Sequence, residues 1–281
     1  MSPDDWYLTE DVDEFLARAG DFLHARPAPH TVALTVTEAL RSRGPDAFGA
    51  EAPVFGLLEE EGEVRAAFFR TPPAGLNLTS VTGAQADLLA ARLAGAGHVL
   101  PGVRSEEAAA AVFARAWRRH AGATPVLRER QRLYRLGTLT PPEPFPEGRA
   151  RWAGERDVGQ VVRWNREFMA AVGEDPRSVD ERRVGHRRYV FWETPDGTPV
   201  SMAGVNPPVA GQVRVGPVYT PAHSRGRGYA GAVTAEATRD ALAEGAKEVV
   251  LFADLANPTS NALYRRLGYV PVADFALYDF T

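Results

Sequence analysis

Two kinds of hydrophobic pattern run through the first half of the chain. Helical spacing of apolar residues predicts amphipathic helices, the last with Ser105 as its N-cap. Short apolar or alternating runs predict strands, and Glu61 and Gly62 form the turn of a predicted hairpin. In chain order we predict a helix at DVDEFLARAGDFL, a strand at TVALTVT, a hairpin at VFGLLEEEGEVRAAFF, and helices at TGAQADLLAARLA and SEEAAAAVFARAWRRH.

The second half repeats part of this order after a proline-rich break. TPPEPFPEG, at 140–148, has four prolines in nine residues and cannot join a sheet interior. Strand, turn, strand, a connection with two prolines and a further strand then recur, as in the first half. The pattern favours a degenerate internal repeat over coincidence between two mixed α/β halves. We therefore predict a first domain at 1–139, a linker at 140–148 and a second domain at 149–281.

Composition is that of an ordinary globular protein. Of 281 residues, 44% are hydrophobic and 24% charged, and no apolar run approaches the roughly 18 residues of a membrane span. The acidic start lacks the features of a secretion signal, so we expect a cytoplasmic protein without membrane contact. The absence of cysteine excludes disulfides and thiolate nucleophiles, and six scattered histidines lead us to expect no metal site.

Charge gives little reason to expect a nucleic-acid partner. The formal net charge is -4, so no global field attracts a phosphate backbone. The basic alternation LRERQRLYRL, at 127–136, has the period of a strand, and we interpret its charged side chains as a solvated face.

The most informative segment is TPAHSRGRGYAGAVTAE, at 220–236, which follows a predicted strand and leads into a predicted helix. A helix start leaves backbone N–H groups without partners and carries partial positive charge, while glycines let a ligand approach the main chain. Arg225 and Arg227 strengthen this candidate anion site. The alternative is a plain connection in which glycine serves only for turning.

The same glycines also spell the dinucleotide fingerprint G-x-G-x-x-G. Six residues separate the strand from Gly226, however, and Glu248 precedes the next strand instead of ending it, which weakens a nicotinamide interpretation. A Walker loop is excluded because no lysine follows the glycines.

A second motif follows the helix in VVLFADLANPTSNALYRRLGYVPV, at 249–272. The apolar run predicts a buried strand, and Asn257, Pro258 and Gly268 delimit a short helix as its N-cap, first residue and terminator. Asn257, Ser260, Asn261 and Tyr264 then form one polar stripe on that helix, which faces either water or a ligand.

Together these motifs resemble the GCN5-related N-acetyltransferase (GNAT) family. Arg225 to Ala230 fits its acetyl-CoA signature [R/Q]-x-x-G-x-[G/A], and the second motif is similar to its following strand and helix. The tandem arrangement also resembles glycine N-acyltransferase-like members. The resemblance implies a mixed sheet in two GNAT-like domains, of which the second holds the acetyl-CoA site and the first is degenerate.

The resemblance also assigns roles to individual residues. It implies that Tyr264 is the general acid for the departing thiolate in acetyl transfer to a primary amine. The pair Gly216 and Pro217 predicts a bulge in the strand before the glycine-rich loop. The main chain of the next residues, Val218 and Tyr219, is expected to meet the acetyl and pantetheine groups. The complete set of implied acetyl-CoA contacts is Val218, Tyr219, Arg225, Gly226, Arg227, Gly228, Tyr229, Ala230, Asn257 and Asn261.

The general base and the acceptor are left open by the sequence. Available carboxylates are Glu167, Glu174, Glu193 and Asp254, and water is equally possible. Trp164 and Phe168 lie in the segment 156–175, which would line the acceptor cleft. We expect a small-molecule or peptide amine as acceptor, and a homodimer is one expectation. The alternatives are a non-catalytic CoA-binding module and, third, a nicotinamide-dependent oxidoreductase.

Overall fold

A computed structural model describes residues 5–281, except for the side chain of Arg183. The first half contains β1 (Tyr7–Thr9), α1 (Val12–Ala25), α2 (Thr31–Arg43), β2 (Val54–Glu60), β3 (Glu63–Arg70), β4 (Leu76–Leu78), α3 (Gly83–Gly95), β5 (Gly102–Glu106), α4 (Glu107–Ala121) and β6 (Pro125–Leu136). The second half contains β7 (Arg149–Trp152), α5 (Val158–Ala171), α6 (Glu181–Val184), β8 (Arg188–Glu193), β9 (Pro199–Val205), β10 (Gln212–Tyr219), α7 (Tyr229–Ala243), β11 (Glu248–Asp254), α8 (Pro258–Arg266) and β12 (Tyr269–Phe280).

The two halves have the same order of helices and strands. Each contains a strand, two helices, three strands, a helix, a strand, a helix and a last strand. The predicted mixed α/β fold is therefore confirmed, and the shared order supports the interpretation as an internal repeat.

The chain divides into two compact units, and two short segments from the second half of the chain belong to the first unit. The first unit comprises the described residues up to Leu133 together with 254–256 and 272–281, and the second comprises 134–253 and 257–271. In the first unit the strand order is β1-β2-β3-β4-β5, followed by the last part of β12. In the second unit it is β11-β10-β9-β8-β7. No helix within 5–281 is long and apolar enough to cross a membrane.

One predicted strand is wrong. TVALTVT forms the start of α2, although Val and Thr favour strands. The hydroxyls of Thr35 and Thr37 donate to the carbonyl oxygens of Thr31 and Ala33, both at 2.8 Å. These bonds within the helix satisfy buried hydroxyls that would otherwise cost free energy, so burial overrides the intrinsic preference.

Other local predictions are confirmed or shifted slightly. The hairpin of β2 and β3 is confirmed, with Glu61 and Gly62 at positive φ in its turn. The predicted N-cap Ser105 is wrong, because α4 begins at Glu107 and Ser105 lies in β5. Its hydroxyl donates to the carbonyl oxygen of Thr79 at 3.3 Å instead of capping the helix.

The basic alternation at 127–136 forms β6, as its period predicts. Its arginines carry acidic partners: Arg130 pairs with Glu107 at 2.8 Å, and Arg132 pairs with Asp274 at 2.6 Å. These side chains therefore form ion pairs with acidic residues of α4 and β12.

Candidate functional site

The central strands of the second unit separate at one end. Parallel pairing joins Gln212–Arg214 of β10 to Glu248–Val250 of β11. Both strands continue beyond these residues, but within residues 5–281 their pairing with each other ends there. On the other side of β10, the register against β9 shifts between Val215 and Val218, which confirms the bulge predicted at Gly216 and Pro217. A gap therefore opens at the carboxyl ends of two adjacent parallel strands, where α/β proteins commonly bind ligands.

A glycine-rich loop leads from this gap into α7. Gly226 and Gly228 have φ values of 76° and 81°, a conformation that other residues rarely adopt. A Cβ built on Gly226 would have no atom within 4 Å, so the space above the loop is open. The side chains of Arg225 and Arg227 are exposed, and Arg225 Nε donates to the carbonyl oxygen of Thr220 at 3.0 Å.

The start of α7 lacks the side-chain cap that its counterpart in the first half has. In α3, the N-cap Thr82 accepts a hydrogen bond from the Gln85 amide, and the Gln85 side chain accepts one from the Thr82 amide. The N-cap of α7 is Gly228, which makes no side-chain cap bond. The first-turn amides of α7 at Tyr229 and Ala230 are thus available to an external anion, whereas those of α3 are partly satisfied within the chain.

The third glycine of the motif has a packing role. A Cβ on Gly231 would lie 3.1 Å from Leu263 Cδ1 and 3.6 Å from Pro142 Cγ. Glycine at this position therefore lets α8 and the proline-rich segment approach α7 closely. The open Gly226 and the packed Gly231 consequently serve different purposes.

Tyr264 lies on α8 among aromatic side chains. Its ring centroid is 6.4 Å from that of Tyr134 and 6.2 Å from that of Tyr269. Only 7% of the residue is exposed, and burial raises the pKa of its hydroxyl to about 12. Among the described residues the hydroxyl has no hydrogen-bond partner. It is thus a fully protonated donor at neutral pH.

The two asparagines of α8 make hydrogen bonds within the unit. Asn257 is the N-cap, as predicted, and its side chain accepts from the Ser260 amide at 3.1 Å. Asn261 Nδ2 donates to the Asn257 carbonyl oxygen at 2.7 Å, and its Oδ1 accepts from the Tyr134 hydroxyl at 2.8 Å. Asn261 is buried, so its side of the predicted polar stripe packs inward. The sequence pattern gave no sign of Tyr134, which lies in β6.

The opposite face of β10 carries a tyrosine and a carboxylate. Val218 packs on the α7 side, whereas Tyr219 packs on the α5 side, where its ring centroid is 6.2 Å from that of Trp164. The Tyr219 hydroxyl donates to Glu167 Oε2 at 2.9 Å. Burial and this carboxylate raise the pKa of Tyr219. Phe168, also expected here, is half-buried on the same helix.

Two of the other candidate carboxylates, Glu193 and Asp254, have described partners elsewhere. Glu193 is buried and accepts from Arg151 Nε at 2.6 Å, and the same guanidinium binds Asp157. Arg151 lowers the pKa of Asp157 to about 2. Asp254 accepts from the Ala256 amide at 2.8 Å. Glu167, by contrast, contacts Tyr219, which follows the bulge of β10.

The site combines features that suit a ligand with a diphosphate and an extended arm. Uncapped helix amides, the open Gly226 and two exposed arginines fit a diphosphate, and the gap between β10 and β11 offers free main-chain groups to an extended chain. Tyr264 and the hydrogen-bonded pair of Tyr219 and Glu167 are protonatable groups of the same unit. The dinucleotide interpretation lacks comparable support, because Glu248 lies at the start of β11, where it pairs with Arg135 at 3.0 Å, instead of ending the strand.

Comparison with known proteins agrees with this geometry. Residues 152–269 match the family model described as "Acetyltransferase (GNAT) family". No curated protein sequence matches the chain.

Solved structures with the same fold cover nearly the whole chain. A GCN5-related N-acetyltransferase from Sphaerobacter thermophilus has 20% sequence identity and a TM-score of 0.58, covering 97% of this chain and 94% of its own. A second GCN5-related N-acetyltransferase, from Kribbella flavida, has 20% sequence identity and a TM-score of 0.56. The match covers 90% of this chain and 95% of that protein. A tandem GNAT protein from the clavulanic acid biosynthesis pathway has 14% identity and a TM-score of 0.61, covering 98% of each chain. These similarities show the fold, including the tandem arrangement.

Proposed function

Because residues 152–269 match the acetyltransferase (GNAT) family model, we propose that the chain transfers an acetyl group from acetyl-CoA to a primary amine. The observation that carries this proposal is the end of parallel pairing after Arg214 and Val250, next to the uncapped start of α7. This arrangement supports a site for an acyl thioester in the second unit, with the predicted domain at 149–281 as the catalytic one.

The diphosphate of CoA would be held by the start of α7. Amides of the segment 226–230 and the guanidinium groups of Arg225 and Arg227 supply hydrogen bonds and positive charge. The acyl group of the bound coenzyme provides an electrophilic carbonyl carbon. Asn257 and Asn261 remain proposed contacts of the adenylate or pantetheine portion, although Asn261 also has partners within the unit.

The main chain of β10 would orient the acyl group. Tyr219 turns its carbonyl oxygen towards β9, where it accepts from Ser201 Oγ at 3.1 Å. Because peptide groups alternate in direction along a strand, the Val218 peptide is expected to face the gap. Its N–H can donate to the carbonyl oxygen, on which negative charge develops when an amine attacks.

Two side chains would handle protons in this reaction. Tyr264, protonated at neutral pH, would donate to the departing thiolate. Glu167, hydrogen-bonded to Tyr219 on the α5 face, would accept a proton from the attacking amine, directly or through a water molecule. An acidic group at this position also favours a cationic acceptor over an anionic one.

One observation favours a different function, a binding module without catalysis. Tyr264 is buried among Tyr134 and Tyr269, an environment that also suits a purely structural tyrosine. Enzyme and binding module therefore differ in whether this hydroxyl contributes to turnover.

A thiol-release screen separates the two functions. The full chain is incubated with acetyl-CoA and a panel of amines, free thiol is measured, and each acetylated product is confirmed by mass spectrometry. The proposal predicts thiol release that depends on an amine and falls at least tenfold in Glu167→Gln. Glu155→Gln, which changes an exposed carboxylate just before α5, is the matched control and should retain activity.

The screen also has outcomes that contradict the proposal. Thermal stabilisation by CoA with no thiol release for any amine would favour the binding module. Stabilisation by NADH but not by CoA would favour the oxidoreductase.

A further inference from the structure

A proline-rich strap, residues 137–148, packs within the second unit next to the start of α7. Its first part contacts the end of α8, where the Thr140 amide donates to the Leu267 carbonyl oxygen at 3.0 Å. A Cβ on Gly268 would overlap the Thr138 carbonyl oxygen, so glycine at this position lets the two main chains lie directly against each other. The strap is thus fixed at one end to the helix that carries the proposed acid.

The middle of the strap contacts the first turn of α7. Pro142 Cγ would lie 3.6 Å from a Cβ on Gly231, and Pro146 Cδ and Cγ would both lie 3.9 Å from a Cβ on Gly228. Gly228 is the N-cap of α7, so Pro146 covers one side of the helix start, whereas Gly226 stays open. The strap therefore bounds the loop that is proposed to hold the diphosphate and leaves Gly226 accessible.

Phe145 anchors the strap to the second unit. Its half-buried ring packs on the hydrophobic core and stacks on Trp192 of β8, with ring centroids 5.8 Å apart and ring planes at 14°. Arg239 Cζ, on α7, lies 5.9 Å from the Phe145 ring centroid. Trp192 Nε1 also donates to the Glu147 carbonyl oxygen at 3.2 Å. One aromatic side chain therefore joins the strap to both β8 and α7.

The proline content makes the strap stiff. Four of the residues at 140–148 are prolines, whose rings fix φ and reduce the conformational entropy that is lost when the segment packs. Proline-rich segments behave as semi-rigid spacers. A displacement of Phe145 is therefore transmitted to the neighbouring contacts of Pro142 and Pro146 on α7.

The charge of the strap argues against a direct contact with a diphosphate. Its sequence includes Glu143 and Glu147, both exposed, and neither lysine nor arginine. Carboxylates repel an anionic ligand, so the strap supplies no binding charge of its own. Its effect on such a ligand has to come from the way it packs on the start of α7.

We propose that the strap, anchored by Phe145, holds the first turn of α7 in the conformation that binds the diphosphate of CoA. The amides of 226–230 have to converge on one anion, and a helix start without a side-chain cap frays unless tertiary packing holds it. Phe145 is then a positioning residue that acts through Pro142 and Pro146. The proposal rests on the proposed function, because CoA is the ligand whose affinity it determines.

Hydrogen exchange on the unmodified chain tests the coupling between strap and coenzyme. Coupling is reciprocal, so if the packed strap favours CoA binding, bound CoA favours the packed strap. We expect saturating CoA to slow exchange of the Phe145, Glu147 and Gly148 amides at least threefold. The amides of Glu61 and Gly62, in an exposed turn of the first unit, should exchange at the same rate with and without CoA.

Three variants then separate positioning from stability. In calorimetric titrations, we expect Phe145→Ala to bind CoA at least tenfold more weakly than the unmodified chain, and Phe145→Tyr, which keeps the stacked ring, to restore most of the affinity. Phe22→Ala is the matched control. Phe22 is also half-buried, and its ring centroid lies 4.9 Å from that of His30, but it belongs to the first unit. This control should bind CoA as tightly as the unmodified chain does.

Exchange without ligand reports the helix start itself. The Ala232 amide donates to the Gly228 carbonyl oxygen at 3.1 Å, so its exchange measures opening of the first turn of α7. We expect this exchange to be at least threefold faster in Phe145→Ala and unchanged in Phe22→Ala. Circular dichroism identifies a variant that does not fold; exchange on the unmodified chain remains decisive in that case.

Several results would overturn the proposal. These are equal CoA affinity in the unmodified chain and folded Phe145→Ala, an equal loss of affinity in Phe22→Ala or Phe145→Tyr, and strap exchange that does not respond to CoA. If the unmodified chain does not bind CoA, the proposed function fails and this proposal fails with it. If it binds CoA and Phe145→Ala binds equally well, only the role of the strap is contradicted, so the two failures are distinguishable.

Discussion

At the scale of single residues, burial determines what the candidate site can do. Tyr264 resembles a core residue by its exposure, yet its hydroxyl makes no hydrogen bond to the described residues. Asn261, three positions before it on α8, has both ends of its amide satisfied by Tyr134 and Asn257. The sequence placed both on one polar stripe but could not distinguish a satisfied amide from an available hydroxyl, because Tyr134 is far away in the chain.

Replacement of Tyr264 by phenylalanine tests its assignment as the acid. Phe keeps the aromatic packing, so we expect the fold and the CoA dissociation constant to change little. We expect kcat to fall at least tenfold, because the departing thiolate loses its proton donor. Steady-state thiol release and calorimetry with CoA measure the two quantities. Tyr278→Phe, on β12, is the control, and an undiminished kcat in Tyr264→Phe would remove Tyr264 from the mechanism.

The raised pKa of Tyr264 also predicts an alkaline loss of stability. Its pKa is about 12 in the folded chain and near 10 when unfolded, so the neutral form is favoured by folding. The stabilisation is complete below pH 10 and is lost as pH rises from 10 to 12, by up to about 2 to 3 kcal/mol. Urea unfolding followed against pH should show this decline, and Tyr264→Phe should reduce it. An identical decline in both proteins would contradict the assignment.

At the scale of elements, the start of α7 is where the sequence was most informative. Glycines that require positive φ, an N-cap without a side chain and adjacent arginines are all readable from the residues alone. The role of Gly231 was not readable, since its neighbour Leu263 lies on another helix. Likewise TVALTVT was misassigned, because tertiary burial of α2 outweighs the preference of valine and threonine for strands.

Substitution of Gly231 by alanine should separate packing from ligand binding. The added methyl group would lie 3.1 Å from Leu263 Cδ1, so we expect a loss of about 1 kcal/mol in the free energy of unfolding. Gly159→Ala, in α5, meets no atom within 4 Å and should be neutral or stabilising by about 0.5 kcal/mol. Equal stability of the two variants in urea would show that Gly231 is not needed for the approach of α8 to α7.

Arg151 links β7, β8 and the start of α5 through two carboxylates. It bonds Glu193 and Asp157, whose side chains are 5% and 13% exposed. Arg151→Ala would leave Glu193 buried with only a distant pair to Arg149, whose Nε lies 3.9 Å from Glu193 Oε2, so we expect a loss of about 3 kcal/mol in the free energy of unfolding. Arg177→Ala removes an exposed pair with Asp175 and should leave the urea midpoint unchanged. A small effect of Arg151→Ala would mean that water or Arg149 compensates for the lost partner.

At the scale of the whole molecule, the repeat explains why one half carries the candidate site. Both halves have the same order of elements, but the helix that follows the fourth strand starts differently in each. Thr82 and Gln85 cap α3 from within the chain, whereas α7 begins at bare glycine beside two arginines. The sequence predicted this asymmetry from the missing glycine-arginine loop. It could not predict that residues 272–281 would pack with the first unit, which depends on strand pairing distant in sequence.

Calorimetric titration of CoA into the full chain tests the central claim most directly. We predict one binding site per chain, and an affinity reduced at least tenfold when Arg225 and Arg227 are both changed to alanine. The matched control changes Arg115 and Arg118, two exposed arginines of α4, to alanine. It should bind CoA as tightly as the unmodified chain does. No association with CoA, two equivalent sites per chain, or full affinity in the Arg225→Ala/Arg227→Ala variant would contradict the account.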